Sequence, residues 1–117
     1  MGDPDELALA VKALKVGLDG CVEWDDAVID RIRREMLPLE LSPEIIKVAA
    51  IEFAQGGGAI RQVAEQRHRW KDRRDYYYKI TIPMPKLFRK GLFVEMELAN
   101  SDDDYPEIRL VNAHEQK

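Results

Sequence analysis

Between Tyr76 and Val111 the chain alternates apolar and polar residues three times in succession, and this alternation restricts the fold more than any other feature. Tyr76, Tyr78, Ile80 and Ile82 share one parity, with Tyr77, Lys79 and Thr81 on the other. Leu92, Val94, Met96 and Leu98 are set against Phe93, Glu95 and Glu97, and Ile108 and Leu110 against Glu107 and Arg109. A period of two places alternate side chains on opposite faces of a strand, so the three segments predict an antiparallel meander with one apolar and one charged face. The apolar face requires a layer of helices.

Upstream, helical punctuation dominates. Asp3-Pro4-Asp5-Glu6 combines a capping side chain with a proline at the first helical position, and predicts an extra N-terminal helix within residues 1–20, over Asp5 to Leu18 and closed by Gly20. In the helical layer expected over 21–75, Cys21 to Trp24 reads as a short strand, and Asp25 caps a helix running to Met36. Ser42-Pro43-Glu44 opens a third helix, Pro43 to Gln55, apolar on most sides and so expected to be central and buried. Gly56-Gly57-Gly58 stops it without the Lys-Ser or Lys-Thr pair of a phosphate loop. Ala59 to Trp70 favours a fourth helix, although Ala59 to Val63 also suits the start of a strand. Pro83 and Pro85 predict an irregular loop from Pro83 to Lys90 rather than a tight hairpin. The expected fold is α+β: one domain over 1–117, with N-terminal helices packed on a three- to four-stranded antiparallel sheet and the meander at 76–114.

No apolar run is long enough for a membrane span and no basic leader precedes one, which predicts a cytoplasmic protein with no membrane partner. The single Cys21 cannot form an internal disulfide, and no ligand spacing suggests a metal or other cofactor; Ser101 to Asp104 reads as a solvated turn. Charge is the compositional feature that matters. The chain carries a net −4, but residues 1–60 carry −6, residues 61–90 carry +7 and residues 91–117 carry −5. A basic centre in an acidic chain suits either an anionic partner or acidic neighbours within the fold.

The basic centre includes Arg67, Arg69, Lys71, Arg73 and Arg74, flanked by Trp70 and Tyr76 to Tyr78, and continues in Lys86, Arg89 and Lys90. Guanidinium groups pair with phosphates and aromatic rings stack on unpaired bases, so these residues are candidates for binding single-stranded RNA. On the polar face, Lys79 and Arg109 are candidates to stabilise a phosphate, with His114 or Tyr77 moving a proton. RNA cleavage through the 2′-hydroxyl requires only a base, an acid and cations around phosphorus. The competing view pairs Lys79 with Glu95 or Glu97, and Arg109 with Glu97, as ordinary cross-strand ion pairs.

Helices followed by an antiparallel meander resemble the RelE superfamily of small ribonuclease toxins, and several segments resemble its BrnT-like branch. The likeness is carried by Val22-Glu23-Trp24-Asp25-Asp26-Ala27, by Ser42-Pro43-Glu44 through Ala54, by Gly91-Leu92-Phe93-Val94 and by Ile108-Arg109-Leu110-Val111-Asn112-Ala113. The resemblance implies a metal-independent RNA endonuclease neutralised by an antitoxin that often binds DNA, with Arg109 and residues after the last strand such as His114 near the cleft. The acidic end of the chain and the extra first helix depart from that pattern. The alternative is a non-catalytic α+β protein-interaction module. The first expectation gathers the cations on one surface, and the second scatters them among acidic side chains.

Overall fold

The computed structural model describes residues 2–18, 20–68 and 74–117. Helix α1, Pro4–Val16, starts where Asp3 accepts hydrogen bonds from the Asp5 and Glu6 amides. It ends earlier than expected, because Gly17 adopts φ 64 and closes the last turn. A Cβ at Gly17 would lie 2.6 Å from Ile51 Cγ2, so glycine here also lets α1 approach the third helix.

Strand β1, Val22–Trp24, follows as anticipated. Helix α2, Ile29–Met36, begins four residues beyond Asp25, whose carboxylate accepts from Ala27 N at 2.8 Å and forms a turn instead of the cap. One 3-10 turn, Leu37–Leu39, contains Pro38. Helix α3, Pro43–Gln55, is capped by Ser42 Oγ, which accepts from Ile45 N at 3.1 Å. It is not buried all round: Ile46, Ala50 and Ala54 face the core while Ile45 and Val48 are exposed.

The fourth helix expected over Ala59 to Trp70 is replaced, in its described part, by strand β2, Arg61–Ala64. Pairing with Tyr76–Lys79 satisfies the backbone of both segments, and this outweighs a local helical spacing of only three apolar residues. Gln62 secures the strand by donating to Tyr78 Oη at 3.0 Å and to Asp3 O at 2.8 Å. Trp70 lies outside the described residues.

The meander is present as β3, Tyr76–Met84, β4, Phe88–Asn100, and β5, Glu107–Glu115, all antiparallel neighbours. Pro83 and Pro85 do not produce the long irregular connection expected: β3 runs through Pro83 to Met84, and Leu87 N donates to Met84 O at 2.9 Å in a tight turn. A register shift between Ile82 and Met84 absorbs Pro83. Among the described residues the sheet has five strands in the order β1-β5-β4-β3-β2, and β1 runs parallel to β5. It is therefore mixed and larger than the three to four antiparallel strands expected. The sequence separating β1 from β5 includes helices, which is what a parallel neighbour demands.

One face of this sheet carries Val22, Trp24, Tyr78, Ile80, Leu92, Val94, Met96, Ile108, Leu110 and Ala113 into a common core with Leu14, Ile32 and Ile46. Trp24 Nε1 donates to the buried Pro43 carbonyl at 2.8 Å, tying β1 to the start of α3. Among the described residues no helix is long and apolar enough to cross a membrane.

Candidate functional site: the polar face of the sheet

The strand registers arrange the other face in three rows. Thr81, Phe93 and His114 form the first, Arg61, Lys79, Glu95 and Asn112 the second. The third contains Val63 opposite Tyr77 and Glu97 opposite Arg109. A bulge makes the first two rows possible. Glu95 stands opposite Asn112 whereas Met96 stands opposite Leu110, so Val111 is one residue too many on β5. The extra residue inverts the parity beyond it, which carries Asn112 and His114 onto the face that already holds Arg109.

Glu95 and Glu97 are each only 5% exposed despite lying on the polar face. Burying a carboxylate is costly unless cations and hydrogen bonds accompany it, and both are supplied by the segment between β2 and β3. Arg74 spans three carboxylates: Nε lies 2.8 Å from Glu65 Oε1, Nη2 3.0 Å from Glu95 Oε2 and Nη1 2.8 Å from Glu97 Oε2. Arg67 joins two of them, with Nε 2.8 Å from Glu65 Oε2 and Nη2 2.7 Å from Glu95 Oε2. The forked guanidinium geometry permits this simultaneous pairing. Burial alone would raise the Glu65 carboxyl, but hydrogen bonds from Arg67 and Arg74 outweigh it and hold the group at about 2. The same bonds from Glu65 and Glu95 raise the pKa of Arg67. Below them lies Tyr77, with the Arg67 and Arg74 guanidinium carbons 4.5 and 5.7 Å from its ring centre.

The candidate cleavage residues are therefore on one face but do not converge. Tyr77 is covered by two guanidinium groups, and Arg109 Nη1 stands 3.7 Å from Glu97 Oε1. The His114 ring stacks on Phe93 at 4.7 Å between centroids, and its Nδ1 lies 2.8 Å from Glu115 O. Arg109 and His114 are separated by roughly 15 Å of strand, and Lys79 and His114 by two strand spacings of about 5 Å each. One phosphate cannot touch all four.

The proposed RNA-contacting residues divide into groups. Arg67 and Arg74 are engaged with Glu65, Glu95 and Glu97. Arg69, Lys71 and Arg73 lie outside the described residues. Lys86, Arg89 and Lys90 are exposed around the β3–β4 turn. Lys79 faces Glu95 in register, but the Glu95 oxygens are taken by arginines, and Lys79 has no ion-pair partner among the described residues. Its neighbour Arg61 is likewise without one, and the two cations line a cavity of about 290 Å³ together with Phe53, Ile80, Thr81 and Gln116. A second cavity, about 140 Å³, opens between Arg31, Arg67, Glu95 and Asn112, with Arg31 Nη2 donating to Asn112 Oδ1 at 3.1 Å.

Sequence reasoning missed Glu65 and Arg61. Glu65 has one partner, Arg67, only two residues away, but Arg74, which completes its pairing, is nine residues away across the β2–β3 connection. Arg61 becomes significant only once β2 is recognised as a strand beside Lys79. Among the described residues no group of three or more His, Cys, Asp or Glu is placed to hold a metal ion. Compared with protein-family models, with curated proteins and with solved structures, the chain finds no match.

Proposed function

We propose that this chain is a non-catalytic α+β protein-interaction module. The observation that carries this reading is the engagement of Arg67 and Arg74 by Glu65, Glu95 and Glu97. A guanidinium already bidentate to buried carboxylates has few donors left for a phosphate, and moving it would leave those carboxylates without compensation. Arg67 and Arg74 thereby act as a structural brace across the polar face, and the function passes to surfaces at its rim. Titrating fluorescent single-stranded RNA with the protein over a salt series tests the reading. The module shows no saturable, salt-sensitive rise in anisotropy; binding that weakens steeply with salt would count phosphate contacts and overturn it.

The RelE-like RNA-cleaving or RNA-binding reading, with an antitoxin as its partner, is favoured by one specific observation. The Phe93–His114 stack lies one row from Lys79 and Arg61, an aromatic pair beside two cations without ion-pair partners among the described residues. That juxtaposition is the minimum for holding a base and its phosphate.

A further inference from the structure

The outer edge of β3 is only partly covered. Strand β2 pairs with Tyr76 to Lys79, whereas β3 continues to Met84. Among the described residues, no backbone segment pairs with the β2 side of Ile80, Thr81 and Ile82. Main-chain donors and acceptors on such an edge are a template for an extended segment from another chain. The Ile80 and Ile82 side chains are buried and hold this part of the strand firmly in the sheet.

The open edge ends at a basic corner. Arg61 starts β2 opposite Lys79, and both line the 290 Å³ cavity that also reaches Phe53, Ile80 and Thr81. Lys86 is exposed in the β3–β4 turn at the far end of this edge, and the exposed Arg89 and Lys90 of the adjoining strand β4 line a cavity with Thr81 and Pro83. An edge bounded by cations at both ends repels a second copy of itself, and Pro83, which has no N–H, limits any ladder to the three residues before it. The charge therefore selects an acidic occupant.

Geometry also limits how that occupant ends. An occupant that continues the antiparallel direction of β2 runs from the Ile82 end toward Lys79. There it meets Arg61, because β2 already occupies the edge beyond. A chain terminus stops at such a point without turning away, and its carboxylate arrives between two cations that have no ion-pair partner among the described residues.

We infer that the β3 edge at Ile80 to Ile82 accepts the C-terminal segment of an acidic protein as an added antiparallel strand, with its terminal carboxylate held by Arg61 and Lys79. The inference rests on the interaction-module reading and gives that module its partner chemistry. The probe is a fluorescein-labelled hexapeptide of alternating valine and glutamate, made with a free C-terminal carboxylate and as the C-terminal amide. The free acid binds saturably in anisotropy and slows hydrogen exchange of the Thr81 amide, the one of the three that points away from β4, since the Ile82 carbonyl faces Gly91. The amide form and the Arg61→Glu variant each bind at least about tenfold more weakly, as expected for loss of a charge-assisted contact. Arg61 is exposed at a strand end, and Lys79→Gln, which keeps the length of the stem, supplies a second variant with the same expected direction. Absence of saturable binding, equal binding of acid and amide, or indifference to both substitutions overturns the inference. Failure of the peptide while RNA is also ignored removes this edge site and leaves the module reading intact; saturable RNA binding removes the module reading itself.

Discussion

Arg74 and Glu97 meet at 2.8 Å with side chains only 8% and 7% exposed, although one belongs to the connection before β3 and the other to the middle of β4. The contact is one arm of a fork whose other arms reach Glu65 and Glu95. Removing Arg74 leaves three carboxylates in a site built for a cation. Arg74→Ala therefore destabilises the protein by about 3–5 kcal/mol in urea unfolding. Arg67→Ala costs less, about 1–2 kcal/mol, because its side chain is 43% exposed and water can replace part of what it supplies.

The same cluster sets an acid limit. Glu65 is held at about 2, below its ordinary 4.5, so the carboxylate form favours the folded state. Its contribution is fully present above pH 4.5 and is lost as the pH falls from there toward 2. Urea midpoints measured at pH 7, 5, 4 and 3 fall across the last interval, and Glu65→Gln flattens that part of the curve. An unchanged slope in the variant would show that other carboxylates govern acid unfolding.

Gly91 has φ 91, and a Cβ there would lie 2.8 Å from the Ile82 carbonyl oxygen. Gly20 has φ 90 with nothing within 4 Å of the same position. The pair separates backbone strain from crowding. Gly91→Ala loses about 1–3 kcal/mol more than Gly20→Ala by thermal or urea unfolding, because the hairpin must shift as well as adopt a disfavoured φ. Equal losses would locate the whole effect in φ.

Trp24 Nε1 is the donor to the Pro43 carbonyl, and both residues are buried. Trp24→Phe keeps most of the apolar volume but leaves that acceptor without this donor, at a cost of about 1–3 kcal/mol. Urea unfolding measures the loss. A change smaller than about 0.5 kcal/mol would mean that the carbonyl finds another donor.

The meander was legible because Tyr76 to Leu110 alternates strictly enough for parity alone to assign faces. The helix starts at Asp3-Pro4 and Ser42-Pro43 were legible because a capping side chain followed by proline acts locally. What escaped was non-local. Ile60, Val63 and Ala64 fit a helix as well as a strand until Tyr76 to Lys79 lies beside them. The parity change at Val111 follows from its pairing with β4 and leaves no mark in composition. Arg109 near Glu97, and Lys79 across from Glu95, stand as cross-strand reasoning places them. Yet the carboxylate of Glu95 belongs to Arg67 and Arg74, which approach from outside the strands that define the register.

Arg67 and Arg74 brace the sheet, and the proposal of an interaction module holds that the polar face performs no RNA chemistry. It is tested most directly by incubating the purified protein, beside His114→Ala and Arg109→Ala, with end-labelled single-stranded RNA and resolving the products on a denaturing gel. Full-length RNA is expected in all three lanes. Fragments ending in 2′,3′-cyclic phosphate with the parent protein, lost in either variant, would contradict it.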